Sequence, residues 1–165
     1  KEDGDAHGEA AWVSLFVEKD LGSRLAIGVD YVPHALESEA TESAKTDRET
    51  AAAVENKIQI DFEDLTTVYL VGKVTDNLYL KAGYVEVDVI TNENLGTGST
   101  YGNTSIDGTM FGVGYNTALD NGMFVRLEGN FHDFDGASIT SSAGNVTALD
   151  HLYGVSGKLS VGRSF

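Results

Sequence analysis

The chain contains no cysteine and only one proline, and it has no continuous apolar run of the roughly 18 residues that a transmembrane helix needs. Without cysteine, both a disulfide framework and a thiolate metal site are excluded. Basic residues are scarce too, because 11 Lys and Arg stand against 26 Asp and Glu, which gives a formal net charge of -15. This acidity argues against nucleic acid as a partner. At 165 residues, the length predicts a single domain covering residues 1–165.

Glycine is abundant, with 19 residues, and many of these glycines lie inside strand-like segments rather than in loops. Seven segments alternate between apolar residues and polar or small ones, which is the period of a β-strand with two different faces. These segments are residues 10–19, 24–33, 57–75, 78–90, 106–118, 123–134 and 149–165. Because glycine weakens a strand but permits bending and close packing, its repeated use favours a small barrel.

The final segment alternates up to the aromatic residue Phe165. Small or polar residues separate most members of its apolar series, which is Tyr153, Val155, Leu159, Val161 and Phe165. This pattern resembles the C-terminal insertion signal of bacterial outer-membrane β-barrels, in which a terminal Phe closes the last strand. Arg163 departs from the pattern, but a long cationic side chain near a membrane edge can extend its charge into water.

The connections between the segments alternate in length. Short turns rich in turn-forming residues occupy 20–23, 76–77 and 120–122, whereas long polar connections occupy about 34–56, 91–105 and 135–148. Short turns at one end and long loops at the other are typical of outer-membrane barrels. We interpret the acidic stretch 37–55 as a mobile loop, although its Ala, Glu and Lys content also allows a helical turn.

By pattern, the whole chain resembles small outer-membrane barrels of Gram-negative bacteria, of the OmpX, OmpA-barrel and opacity-protein type. The resemblance implies an all-β, antiparallel, up-and-down transmembrane β-barrel in the outer membrane. It implies a structural, adhesion or surface-recognition role, and some such proteins are phage receptors. The implied partners are outer-membrane lipid and lipopolysaccharide, the barrel-assembly machinery through the C-terminal strand, and an extracellular protein or phage at the loops. No cofactor and no enzymatic activity are expected.

The strand directions predict one strand more than the seven visible segments. If Phe165 is periplasmic, tracing back through the turns makes both 149–165 and 10–19 run downward. Single-chain bacterial barrels have an even number of antiparallel strands. We therefore expect eight strands with the first one missing, and an open seam between segments 10–19 and 149–165. Residues 1–9 then belong to a first extracellular loop, and a leader peptide was removed or omitted.

Alternation assigns a mixed set of charges to the barrel interior. An eight-stranded barrel is only wide enough to be filled by side chains, and buried charges must be paired. We therefore expect a salt-bridged plug, with a narrow polar conduit as the alternative, formed by Glu18, Arg24, Asp30, Lys73, Lys81, Arg126, Glu128 and Lys158. Aromatic side chains near strand ends indicate membrane interfaces, with Tyr31, Tyr84 and Tyr115 as the candidates. In segment 78–90 the apolar series changes parity near Tyr84, which predicts a bulge or an exit from the membrane there.

Two other functions fit the same pattern less well. One is a small porin-like channel for solutes, similar to OmpW-type barrels. The other is a soluble lipocalin-like ligand-binding barrel, in which apolar residues face inward and Lys81, Arg126 and Glu128 face outward.

Catalytic and metal sites have only weak support in the sequence. His132–Asp133 and Asp150–His151 are neighbours in sequence, so they point to opposite faces of a strand and form no dyad. His7 and His34 lie in or beside loops, where we expect them to be solvated. Carboxylates suit Ca²⁺ or Mg²⁺, but the acidic stretch has no fixed ligand spacing, so we expect solvated side chains or divalent bridges to lipopolysaccharide at Glu37, Glu39, Glu42, Asp47, Glu49 and Glu55.

Overall fold

The structure is a computed structural model that describes residues 8–38, 40–46, 53–95, 98–149 and 151–165. Strands dominate this part of the chain, and no helix within it is long and apolar enough to cross a membrane. The strands are β1 (Leu15–Asp20), β2 (Leu25–Tyr31), β3 (Leu36–Glu37), β4 (Thr41–Thr46), β5 (Ala53–Lys73), β6 (Leu78–Asn94), β7 (Thr104–Ala118), β8 (Met123–Phe134), β9 (Ala137–Thr140), β10 (Val146–Leu149) and β11 (Leu152–Arg163).

Seven of these strands form one antiparallel meander in the order β1-β2-β5-β6-β7-β8-β11. The sheet curls into a half-barrel, so the predicted all-β, antiparallel, up-and-down architecture is confirmed. Within the described residues, β1 and β11 are the two ends of this path and do not pair with each other. The shorter strands are attached to this sheet or stand beside it: β3 and β4 pair with β5, and β9 and β10 form a separate hairpin.

The three short connections lie at one end of the meander, which we call the lower end. The last of them is a 3₁₀ turn, Asp120–Gly122, in which Asn121 and Gly122 have φ values of 63° and 75°. These left-handed angles explain the Asn-Gly sequence, because these residues adopt positive φ at low cost. The backbone N–H of Leu119 donates to Met123 O at 2.7 Å and closes the turn.

The interpretation of residues 37–55 as a mobile loop is wrong for the part that the structure describes. β3 pairs with Phe62 and Asp61 of β5, and β4 pairs with β5 from Thr41↔Ile58 to Thr46↔Ala53. The described parts of this long connection are therefore largely strands that pair with β5 and extend the sheet at its upper end. Alternation could not reveal β4, because its sequence TESAKT contains no large apolar residue.

A β-bulge divides β5 into two parts, and even-numbered residues face opposite sides of the sheet in these two parts. The register with β6 shifts between Glu63 and Thr66, and Asp64 has a φ of 53°. Below the bulge Val68 faces outward, whereas above it Phe62 packs against the apolar inner core. The single continuous face predicted for segment 57–75 is therefore wrong, because a bulge inserts one extra residue and exchanges the two sides.

The change of apolar parity in β6 has a different origin. The register between β6 and β7 is continuous from Leu78↔Tyr115 to Val89↔Thr104, and burial alternates without a break through Tyr84. A bulge at Tyr84 is therefore excluded. Each face of β6 keeps its direction, but the chemistry of the side chains on that face changes at Tyr84.

Candidate functional site

One row of paired residues marks the level at which side-chain chemistry changes. Tyr84 pairs with Thr109, Thr109 with Asp133, and Asp133 with Tyr153 across four neighbouring strands. Tyr31 on β2 lies close to the same level. It pairs with Thr66 on β5, and Thr66 pairs with Glu86, which is two residues above Tyr84 on β6. We call the tyrosines 31, 84 and 153 the tyrosine ring; the lower half of the sheet lies between this ring and the short turns.

In the lower half, the outward face is apolar. Val155 is 84% exposed, Leu159 73% and Leu80 55%. In water such side chains are expected to be buried, because burial of apolar area is the main favourable term in folding. Each long strand contributes to this continuous surface, which includes Leu15, Val17, Leu25, Ile27, Val29, Val68, Leu70, Leu78, Leu80, Phe111, Val113, Tyr115, Leu127, Phe131, Val155, Leu159 and Val161.

In the upper half, the polarity is reversed. On β6, Val85, Val87 and Val89 are buried on the inner side, while Glu86 is exposed on the outer side. Ile106 joins the inner cluster from β7. The upper half therefore has the arrangement of a protein surrounded by water, and the lower half has the opposite one.

Hydrogen bonds fix two of the ring tyrosines at this transition. The Tyr84 hydroxyl donates to the Asp107 carboxylate at 2.7 Å, and the Tyr31 hydroxyl donates to the Asp64 carboxylate at 2.6 Å. Each side chain thus places its hydroxyl against an acidic group and keeps its ring beside the apolar surface. Amphipathic rings of this kind are enriched at membrane–water interfaces.

The interior of the lower half contains a bidentate ion pair near the turns. Nη1 and Nη2 of Arg126 donate to the two carboxylate oxygens of Glu18 at 2.5 and 2.6 Å, and Nε donates to Asn116 Oδ1 at 3.1 Å. The guanidinium also lies 4.6 Å from the ring centre of Phe124 and 5.3 Å from that of Tyr79. The planar guanidinium fits this site because it forms two parallel hydrogen bonds and stacks on aromatic rings.

A second ion pair lies one layer higher and is more deeply buried. Lys81 Nζ donates to Glu128 Oε1 at 3.3 Å, and the two side chains are only 5% and 4% exposed. The ammonium also lies 3.8 Å from the ring centre of Tyr69. The Tyr69 hydroxyl in turn donates to Glu18 Oε1 at 2.9 Å, so it links the two ion pairs.

A third group of polar side chains lies just below the tyrosine ring. Lys158 on β11 forms an ion pair with Asp30 on β2, across the concave side of the sheet. His132 Nε2 lies 3.2 Å from Ser156 Oγ, and His132 Nδ1 is buried without a hydrogen-bond partner among the described residues. The three layers together line the inner side with paired charges and aromatic rings.

The eight residues predicted for the interior divide into two groups. The structure brings six of them together as three ion pairs: Glu18 with Arg126, Lys81 with Glu128, and Asp30 with Lys158. Arg24 and Lys73 do not join this network, and their assignment to it is corrected. They lie at strand ends beside the lower turn, where Lys73 forms an exposed contact with Asp20 at 3.5 Å.

The other predicted sets are also located by the structure. The side chains of Tyr153, Val155, Leu159 and Val161 are exposed on the outer face of β11, and Phe165, which follows the end of that strand, is fully exposed. Tyr31 and Tyr84 belong to the tyrosine ring, whereas Tyr115 pairs with Leu78 and Leu127 and lies toward the lower end. The candidate interface aromatics therefore occur at two levels, with the exposed apolar surface between them.

Sequence reasoning missed the neutral partners that complete the interior network. Tyr69 and Tyr79 are almost fully buried, and Phe16 and Phe124 flank Arg126. Their inward parity was readable from alternation. Their contacts were not, because these depend on how far the sheet curls.

A histidine–carboxylate pair forms, but between different residues from those considered in the sequence. His151 Nε2 lies 3.4 Å from Asp133 Oδ1, and both side chains are well exposed. Asp150 and His7 lie outside the described residues, whereas His34 Nε2 is 3.2 Å from the backbone N of Val13. At the part-buried Ser156–His132 contact, no carboxylate of the described residues is hydrogen-bonded to Nδ1 to orient a general base.

The structure describes part of the acidic stretch. Glu39, Asp47 and Glu49 lie outside the described residues. Elsewhere, no group of three or more His, Cys, Asp or Glu side chains is arranged to hold a metal ion in the part of the chain that the structure describes.

No protein-family model, no curated protein and no solved structure matches this chain.

Proposed function

We propose that this chain is an integral outer-membrane β-barrel with a structural or surface-recognition role. In this proposal the lower half lies in the lipid bilayer, the upper half projects into the external medium, and the short turns face the periplasm. Lipid and lipopolysaccharide are then its immediate surroundings, and the barrel-assembly machinery recognises its last strand. The paired interior has a structural role, and neither a cofactor nor catalysis is part of the proposal.

The observation that carries the proposal is the reversal of polarity at the tyrosine ring. A strand in water is stabilised by an apolar inner face, as in Val85, Val87 and Val89. A strand in lipid is stabilised by an apolar outer face, as in Leu78, Leu80 and Tyr84. The single strand β6 has an apolar outer face below Tyr84 and an apolar inner face above it. This change along one strand is expected where a strand leaves the bilayer.

The recognition role depends on the upper half. Above the tyrosine ring, the sheet continues through the upper parts of β5 and β6, and β3 and β4 pair with β5 there. A hydrogen-bonded platform with an acidic exterior and its own apolar core gives an extracellular protein or phage a defined surface to bind. Loop-deletion variants tested for binding to host cells or phage would identify the ligand.

The soluble lipocalin-like alternative makes a prediction that the structure contradicts. It requires Lys81, Arg126 and Glu128 to face outward, but Lys81 and Glu128 are buried and Arg126 is hydrogen-bonded to Glu18 on the inner side. It also requires an apolar interior where the three ion pairs lie.

The proposal can be tested by measuring which side chains contact lipid. Because the sequence contains no cysteine, single cysteines can be introduced at Leu80 and Phe111 below the tyrosine ring, and at Glu86 and Asp107 above it. Each variant is labelled with an environment-sensitive fluorophore and reconstituted in vesicles. We expect blue-shifted emission, quenched by lipid-attached quenchers, only for the two lower positions.

Matched pairs on the same strands serve as internal controls, because Leu80 and Glu86 share the outer face of β6. Equal emission from both members of each pair would refute membrane insertion. Folding of the unlabelled chain as a monomer in water, without detergent or lipid, would refute it independently.

A further inference from the structure

A depression lies on the upper half of the sheet, above the tyrosine ring, where β5 and β6 run side by side. Its volume is about 380 Å³, and its six lining residues are Lys57, Gln59, Thr91, Asn92, Glu93 and Asn94. All of these side chains are polar. Sites for apolar ligands are lined mainly by hydrophobic and aromatic side chains, so this depression fits a ligand that is itself covered with polar groups.

Hydrogen bonds fix two amide side chains at the depression. Gln59 and Asn92 are directly opposite each other on β5 and β6. Their side-chain N–H groups donate to the two carboxylate oxygens of Asp61, at 3.3 and 2.5 Å respectively. Among the described residues these amides make no other hydrogen bond, so their carbonyl oxygens and second N–H groups are left for a ligand. Groups that are already oriented lose little entropy when a ligand binds.

One acceptor at the depression is unsatisfied. Glu93 Oε1 accepts a hydrogen bond from the backbone N–H of Tyr101 at 2.6 Å, which ties the connection between β6 and β7 to the top of β6. Glu93 Oε2 is buried and has no hydrogen-bond partner among the described residues. Buried polar atoms are normally hydrogen-bonded. This oxygen therefore indicates a ligand that donates a hydrogen bond to it, as a hydroxyl group does.

The charges around the depression restrict the ligand further. Asp61 lies beside it, and just below on the same strands Glu63 pairs with Asp88. An anionic ligand would be repelled by these carboxylates. Both oxygens of Asp61 already accept amide N–H groups, which favours a neutral ligand over a cation.

The height of the depression excludes the lipids of the membrane as ligands. From Tyr84 to Asn92, β6 rises by about 26 Å at roughly 3.3 Å per residue, and a strand tilt of about 45° still leaves a height of about 18 Å. In the membrane orientation of the proposed function, on which this inference rests, acyl chains and lipid headgroups lie below that level. The ligand must therefore extend well beyond the bilayer surface.

We propose that this depression binds a neutral saccharide, and that saccharide binding is the recognition role of the upper half. A hydroxyl group both donates and accepts hydrogen bonds. Neighbouring sugar hydroxyls can therefore bond the free amide groups of Gln59 and Asn92, while another donates to Glu93 Oε2. The sugars of lipopolysaccharide in the same membrane and the glycans of another cell share this chemistry.

Saturation-transfer NMR on the protein in detergent micelles tests the chemistry of the ligand. The probes are the methyl glycosides of glucose, galactose and N-acetylglucosamine, and glucuronic acid is the anionic control. We expect transfer to at least one neutral glycoside and none to glucuronic acid.

Two glutamate variants on the same strand test the site. Glu93→Gln keeps an acceptor for the Tyr101 N–H but replaces the second carboxylate oxygen by an N–H donor, and should weaken binding by about tenfold. Glu86→Gln removes the same charge lower on β6, outside the depression, and should leave binding unchanged. Asn92→Asp is a further variant at an exposed position, where the fold should tolerate it. It replaces an amide donor by an oxygen facing Asp61 and should also weaken binding.

A competition experiment distinguishes the two sources of sugar. Competition by the core oligosaccharide released from lipopolysaccharide would assign the ligand to the membrane that holds the protein. Binding to immobilised glycans of another cell, without that competition, would assign it to a foreign surface. Either result supports the proposed site.

Three results would overturn the inference. They are no transfer to any neutral glycoside, equal transfer to glucuronic acid, and equal effects of Glu93→Gln and Glu86→Gln. Absence of lipid contact in the fluorescence experiment would refute membrane insertion, whereas absence of saccharide binding would leave lipid contact unchanged, so the two failures are distinguishable.

Discussion

At the scale of single residues, the positions of the interior side chains are set by their contacts with one another across different strands. Glu18 accepts hydrogen bonds from Arg126 on β8 and Tyr69 on β5, so one carboxylate joins three strands. Inward direction could be predicted from the sequence by parity. The pairing could not, because Glu18 and Arg126 are 108 residues apart and meet only when the sheet curls.

Replacing Arg126 by Met should destabilise the folded protein by about 3–5 kcal/mol, the usual cost of removing one partner of a buried ion pair. The reason is that Glu18, with a side chain only 14% exposed, would keep its charge without a cation. Urea unfolding of the protein in vesicles would measure the change. The double variant Arg126→Met with Glu18→Gln should recover part of the loss, and additive losses would contradict the coupling.

The exposed pair Lys73–Asp20 is the matched control for that experiment. Its side chains are 40% and 70% exposed and its separation is 3.5 Å. Lys73→Met should change the stability by less than about 1 kcal/mol, as is usual for surface ion pairs.

Gly28 is a second residue whose replacement should be costly. A Cβ at this position would lie 2.5 Å from Cζ of Tyr69, which is buried between Glu18 and Lys81. Gly28→Ala should destabilise the protein by about 1–3 kcal/mol, the range for overpacking, as measured by the same urea unfolding. Gly157→Ala is the control, because no atom lies within 4 Å of its Cβ and the change should be near neutral. Equal effects would show that backbone conformation, and not contact with Tyr69, determines the cost.

At the scale of elements, alternation located the main strands well because each has two faces with different surroundings. It was less successful where that contrast is absent or interrupted. β4 has no large apolar residue, and the bulge at Asp64 reverses the faces of β5 inside an apparently continuous pattern. The parity change in β6 was visible in the sequence, but only the unbroken register showed that it reflects chemistry and not a bulge.

The two parts of β6 should respond differently to the same charge. Leu80→Arg places a cation on the outer face of the lower half, where we expect a loss of about 2–4 kcal/mol in lipid. Glu86→Arg places it on the same face above Tyr84, where we expect about 0–1 kcal/mol. Both positions are exposed, so a protein surrounded by water would tolerate both substitutions. Unfolding in vesicles distinguishes the two cases, and equal tolerance would contradict the membrane assignment.

At the scale of the whole molecule, the inner side combines a charged lower region with an apolar upper one. The lower region is lined by the three ion pairs and their aromatic neighbours, and the upper region contains Val87, Val89 and Ile106. A water-filled pathway along the axis would have to pass both. This arrangement favours a plug over the porin-like channel that the sequence left open.

We therefore expect no stepwise ion current when the protein is reconstituted in a planar bilayer. Replacing Lys81 and Glu128 together by Ala removes a buried pair without leaving an isolated charge, and should raise the permeability more than Lys73→Ala does. Regular conductance steps from the unmodified protein would support the porin-like alternative instead.

If the lower half lies in a bilayer as proposed, the position of the tyrosine ring sets the hydrophobic thickness that the protein spans. On β6 the apolar outer series runs from Leu78 to Tyr84, which spans only about 20 Å at roughly 3.3 Å per residue. Because strand tilt shortens this height further, a thick bilayer would cover the acidic groups above the ring or would have to thin locally. Refolding yield should therefore fall as the acyl chains of the host lipid lengthen.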